Sequence, residues 1–239
     1  MLFLCFSAIF VCLGFAAKGQ VEFKEQVVVE QVLENCKSAC ILSRPIRDAK
    51  QKVTVEMMIR LVEIIDGDPK LGEFTLRLAE DYSWIDSRLS WPDSDVDMIS
   101  LPDKYIWIPD IKPNNCRISY DSYSAAYRSH PAKIKRNGSV HWSKYRLMKV
   151  KCKFDRSKPV LTNMYACTII YYSSIWNANQ LDVTSMTNSI TKHVDYVENS
   201  FWNLKKLGAK IIHYRDKCCK DLFVLINVTF HFTHASYFV

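Results

Sequence analysis

The 239-residue chain is 49% hydrophobic and 24% charged, with a net charge of +7. That balance excludes a disordered or low-complexity chain and supplies apolar material for one sizeable core. The lysines and arginines are scattered, with no basic run or nucleic-acid motif, so the positive charge reads as a solvated surface without a nucleic-acid partner.

Residues 2–17 carry no charge and no proline, and Ala16, Ala17 and Gly19 follow or close the run. A short apolar stretch ending in small residues reads as a secretory signal peptide over residues 1–19. The competing reading is an uncleaved anchor, but a comfortable span wants about 20 apolar residues. Residues 222–232 are apolar but short, and they contain Asn227 and His231. The mature chain, 20–239, is therefore expected to be extracellular and to form one domain without a membrane span.

Residues 21–38 read as a helix, with Val27, Val28, Val32 and Leu33 on one face and Glu25, Glu30 and Glu34 among the polar positions. After Arg44-Pro45 the pattern changes to strands. VTVEMMIRLVEII is rich in β-branched residues and closes at the turn Asp66-Gly67-Asp68-Pro69. FTLRLAEDYSWIDSRLSW, KYIWIPD, residues 132–135, VHWSKYRLMKVKCKF, YACTIIYYSS, AKIIHY and LFVLINVTFHF follow as further strand-like runs. Arg136-Asn137-Gly138-Ser139 is a hairpin turn, since Asn-Gly tolerates positive φ. Many strands behind one helix predict an all-β, immunoglobulin-like sandwich.

Several rarer runs occur in order: WIDSRLSW at 84–91, IWIPDI at 106–111, NGSVHW at 137–142, CKFD at Cys152, QLDV at 180–183, YVENSFWNL at 196–204 and the adjacent pair Cys218-Cys219. Together, over about residues 44–232, they resemble the ligand-binding ectodomain of pentameric Cys-loop neurotransmitter receptors of the nicotinic type. They also resemble the soluble acetylcholine-binding proteins. The resemblance implies a twisted sandwich of about ten strands with an N-terminal helix, a pentameric ring, and a small ligand bound between neighbouring subunits. Trp84, Trp91, Trp107 and Trp142 are expected to be packing anchors.

Seven cysteines remain beyond the leader, so at least one is unpaired within the chain. By the resemblance, Cys152 and Cys167 close a loop; they enclose fourteen residues, and the sequence SKPVLTNMYA departs from the family's Phe-Pro-Phe-Asp core, which puts a gating role in doubt. Cys218 and Cys219 correspond to the vicinal disulfide at the tip of the loop that closes over ligand; bonding elsewhere or metal binding are the alternatives. Cys36 and Cys40 lie one helical turn apart and either bond to each other or meet Cys116. No compact Cys/His spacing predicts a metal, and no cofactor is expected.

The family holds an agonist ammonium in an aromatic box by cation–π attraction. By position, its first tyrosine falls on Asn114, or on Pro113 with a one-residue deletion. The neighbouring subunit's tryptophan falls on Ala79, and the central tryptophan on Ser174. The two closing-loop tyrosines fall on Asp216 and Phe223, so Phe223 alone is aromatic in register. Trp176 and Tyr214, each two residues from such a position, are the substitutes. The candidate binding residues are thus Trp176, Tyr214, Cys218, Cys219 and Phe223, for an unidentified small ligand rather than acetylcholine.

Sequons at Asn137 and Asn227 are candidate glycosylation sites, the hairpin one foremost. No nucleophile elbow, zinc-protease helix or phosphate loop is present, so no enzyme is expected. The alternative to a secreted binding protein is a truncated receptor subunit that assembles with full-length partners at the membrane.

Overall fold

The computed structural model describes residues 23–92, 95–119, 130–215 and 220–235. The expected leader and Cys218-Cys219 lie outside them. A helix, α1 (Lys24–Leu42), precedes eleven strands: β1 (Val53–Asp68), β2 (Glu73–Ile85), β3 (Met98–Pro102), β4 (Ile111–Pro113), β5 (Cys116–Ser119), β6 (Pro131–Lys135), β7 (Ser139–Lys153), β8 (Met164–Ser173), β9 (Leu181–Val197), β10 (Trp202–Arg215) and β11 (Leu222–His234). The main path runs β10-β11-β8-β7-β2-β1-β9. It divides into a β9-β1-β2-β7 sheet and a β8-β11-β10 sheet, and the β7–β8 pairing at Cys152 and Cys167 joins the two. All pairings are antiparallel except β1 with β9. The chain is the expected all-β sandwich with a leading helix.

Alternation explains why β2 faces the way it does. Phe74, Leu76, Leu78, Glu80, Tyr82 and Trp84 all point inward and are buried. Near one end, Phe74 meets Trp202 edge-on at 4.6 Å and stacks with Phe232 at 5.0 Å. At the other end Trp84 meets Trp107 at 5.9 Å, and Trp91 donates its indole N–H to the Val96 carbonyl. The four anchoring tryptophans are all buried.

Two of the rare sequence runs prove to be one clamp. β2 ends at Ile85, and Asp86 caps the short turn Ser87–Leu89 by accepting from the Arg88 N–H. The buried Asp86 carboxylate also receives Arg88 Nε and Nη2, both at 2.8 Å. Its backbone N–H donates to the Gly138 carbonyl on the β6–β7 hairpin. Gly138 has φ +81°, and a Cβ there would lie 2.4 Å from the Asp86 carbonyl oxygen. Only glycine meets both the conformation and the approach.

The structure departs from the sequence reading in several places. α1 buries Val28, Val32, Cys36 and Cys40, whereas Val27 faces solvent. The run KYIWIPD is a short turn over Asp103–Tyr105 and extended chain rather than a strand, with Ile106 and Trp107 buried; Pro109 removes a ladder donor. β3, β4, β5 and β9 are not among the strand-like runs of the sequence; the β9 run TSMTNSITKHVDYV has little apolar alternation. It sits at the sheet edge, where burying both faces is unnecessary.

Cys36 bonds Cys40, Cys152 bonds Cys167, and Cys116 keeps a free thiol. Of the two pairings open for the helix cysteines, the structure takes the local one.

Candidate functional site

A cavity of about 430 Å³ opens on the outer face of the β8-β11-β10 sheet. Asn114, Ile170, Tyr172, Ser173, Ser174, Tyr214, Phe223 and Leu225 line it. The register explains the gathering. Tyr172 pairs with Leu225, and Tyr214 pairs with Phe223. Positions 170, 172, 223 and 225 share the outward face, because their odd–even neighbours 169, 171, 224 and 226 are core.

Asp110 sets the shape of the rim. Its Oδ1 accepts the Ser173 hydroxyl at 2.6 Å. Its Oδ2 accepts the N–H groups of Ser174 at 3.0 Å and Ile175 at 2.9 Å, and the Ser174 hydroxyl at 3.3 Å. The carboxylate of the IWIPDI run therefore anchors the chain leaving β8. Asn115 does the same one strand away, donating to the Thr168 carbonyl and accepting the Ile170 N–H.

The sequence-predicted residues divide. Tyr214 and Phe223 come together in the cavity. Trp176 does not line it: its N–H donates to Ser173 Oγ, its ring packs against the core, and the Arg44 guanidinium lies over it at 5.1 Å. Arg44 in turn donates to the carbonyls of Gln51 and Gln180. Cys218 and Cys219 lie outside the described residues. Sequence counting placed Asn114 and Ser174 at cage positions, and both line the cavity without supplying an aromatic wall. Tyr172, Ile170 and Leu225 were missed; their signal is the inside–outside alternation of β8 and β11.

Of the other two cage positions, Asp216 lies outside the described residues, and Ala79 is buried on the outer side of the other sheet, opposite Arg60 and Tyr145. A polar network surrounds it. Arg60 grips Asp81 with two bonds of 2.7 and 2.8 Å, and the Ser143 hydroxyl donates to the same carboxylate at 2.7 Å. Ser83 Oγ lies 3.0 Å from His141 Nδ1. A larger groove of about 830 Å³, lined in part by Pro45, Lys50, Ile85 and Asn179, holds none of the predicted site residues.

The described residues form a sandwich with a side pocket and contain no cluster of His, Cys, Asp or Glu that could hold a metal ion. Comparison with known proteins places it further. Residues 26–235 match the neurotransmitter-gated ion-channel ligand binding domain, and the chain belongs to that family. It is 27% identical over 218 residues to the neuronal acetylcholine receptor subunit alpha-9-I of Oncorhynchus mykiss, covering 89% of this chain and 36% of that protein. It is 28% identical over 221 residues to subunit alpha-10 of Rattus norvegicus, covering 91% of this chain and 46% of that protein. The chain thus spans less than half the length of these relatives. The fold is also similar to the crystal structure of AChBP from Bulinus truncatus, with a TM-score of 0.69 at 16% identity over 88% of this chain and 98% of that one. No helix among the described residues is long and apolar enough to cross a membrane.

Proposed function

We propose that this chain is a secreted, extracellular ligand-binding domain that assembles in a ring, a pentamer by family resemblance. It captures a small molecule where neighbouring subunits meet, and it is not an enzyme. The observation that carries this reading is the convergence of Tyr172, Tyr214 and Phe223 on one 430 Å³ cavity. That volume falls within the range of small-molecule sites, about 300–1,000 Å³. The cage is a reduced one: Ser174 and Asn114 leave two of its sides without rings. The outer face around Ala79, with Arg60, Asp81 and His141, is the half a neighbour would bring. Residues 2–17, read as a leader, support export.

Native mass spectrometry of the chain secreted from eukaryotic cells tests the reading. A ring-sized oligomer with retained small-molecule mass is the expected result. A strictly monomeric, ligand-free species would overturn it.

One observation favours a second reading, a receptor part that joins full-length subunits. The end of the sandwich that carries the Cys152–Cys167 loop exposes Leu71, Val160, Leu161 and Met164. The two loops adjoin, since Cys152 N–H donates to the Gly72 carbonyl. Such an apolar end suits a surface covered by another domain. Co-purification with membrane receptor subunits distinguishes the two readings.

A further inference from the structure

We infer, resting on the reading of the Tyr172–Tyr214–Phe223 cavity as the ligand site, that it takes a small uncharged aromatic molecule and discriminates against a cation. None of its eight lining residues is charged. Ile170, Leu225, Phe223 and the two tyrosine rings supply apolar and aromatic surface. The polar remainder is neutral: Asn114 offers both a donor and an acceptor, and Ser174 a hydroxyl.

The carboxylate that touches the lining is already engaged. Asp110 accepts four hydrogen bonds from Ser173, Ser174 and Ile175. It holds chain in place, taking three of these bonds on Oδ2 and one on Oδ1. The charge at the margins is positive. Lys112 pairs with Tyr172 across β4 and β8, and Lys210 pairs with Asn227, two residues past Leu225 on β11. A cation entering here sheds hydration, and no residue lining this face of the site carries a counter-charge; the Asp110 carboxylate stands behind Ser173 and Ser174. The box that elsewhere compensates with ring faces is open at Ser174 and Asn114. An anion gains little, because Lys112 and Lys210 are exposed and their fields are screened by salt. A neutral ring with a hydrogen-bonding edge fits both halves of the lining.

The test uses the full chain and three probes that share one ring: 2-naphthamide, 2-naphthoate and 2-naphthyltrimethylammonium. Affinities are read by ligand-observed NMR and calorimetry. The amide is expected to bind at least tenfold tighter than either charged probe. Tyr214→Ala and the conservative Phe223→Leu should each weaken it severalfold, with unchanged circular dichroism. The ranking should persist in Asp216→Asn, which removes a carboxylate two residues along the chain from Tyr214. An ammonium or carboxylate probe equal to or tighter than the amide, still sensitive to Tyr214→Ala, overturns the charge preference and leaves the site intact. Binding that ignores both Tyr214→Ala and Phe223→Leu, or no binding by any probe, overturns the site assignment and the preference with it.

Discussion

The Lys144 ammonium lies 3.4 Å from the Glu80 carboxylate inside the sandwich, and both side chains are buried. Glu80 is also bonded by Arg146 Nε at 2.8 Å and by the hydroxyls of Tyr82 at 2.9 Å and Tyr171 at 3.1 Å. Lys144 sits over the rings of Trp142 at 4.2 Å and Tyr82 at 4.8 Å. Glu80 and Tyr82 come from β2, Lys144 and Arg146 from β7, and Tyr171 from β8, so the cluster ties the two sheets together. Burial, reinforced by the Glu80 charge, pushes both phenols well above their usual range and keeps them donors.

Burial is also the main cause that lowers the Lys144 pKa from 10.5 to about 8. Between these values the unfolded chain binds a proton that the folded chain does not. Stability contributed by this group therefore rises as pH increases from about 8 to 10.5, on the order of 3 kcal/mol in total. Lys144→Met should abolish that rise. At pH 7 it should be neutral or stabilising, because Glu80 keeps Arg146 and two hydroxyls. Glu80→Gln should instead cost about 3–5 kcal/mol by stranding the buried Lys144 and the half-buried Arg146. Urea denaturation of the three proteins from pH 7 to 10 checks the signs.

Gly138→Ala should destabilise by about 2 kcal/mol or more. The substitution meets a φ of +81° and a backbone oxygen of Asp86 at 2.4 Å. The damage should spread to the Asp86–Arg88 pair, which holds Ser43 after α1 through Arg88 Nη1. Chemical denaturation gives the loss. Hydrogen exchange should show new opening at Asp86 and Ser90, and wild-type protection there would refute the clamp.

Peptide mapping of non-reduced protein should recover Cys36–Cys40 and Cys152–Cys167. Replacing both members of the second pair by serine should cost about 3 kcal/mol, the chain-entropy value for a loop of this size. Cys116 should remain as a thiol and react slowly with iodoacetamide at pH 8. Burial first, and the Glu80 charge second, push it up to about 11, so little thiolate exists there. Fast alkylation at neutral pH would contradict that environment.

Glycan should be found at Asn137 and not at Asn227 in secreted protein. Asn137 is exposed at the tip of the β6–β7 hairpin. Asn227 lies in β11 between Lys210 on β10 and Ile170 on β8, with its Oδ1 buried. A sugar there would have to leave a half-buried side chain in the middle of a paired strand. Glycopeptide mass spectrometry, with Asn137→Gln as the mass control, decides between the two.

The candidate site was half legible in the sequence, and the particular residues show why. Phe223 and Tyr214 follow from counting along the chain, because their positions relative to the cysteine pair are local. Trp176 fails by the same counting. Its ring packs against the core beneath Arg44, a residue more than a hundred positions away in the chain, and local counting cannot register that contact. Tyr172 became a wall residue through its pairing with Leu225, a relationship no local spacing encodes.

The sequence by itself determined the sandwich class, the leading helix, the hairpin at Asn137-Gly138 and the inward face of β2, since period and turn chemistry act over a few residues. It also carried the family, through the order of short runs whose side chains turn out to clamp one another. Only the tertiary structure decided which helix cysteine pairs with which, where β9 lies, and what lines the cavity of the outer sheet. Those outcomes depend on strand register between distant segments and on how buried charges find partners, and neither is written in any single stretch of chain.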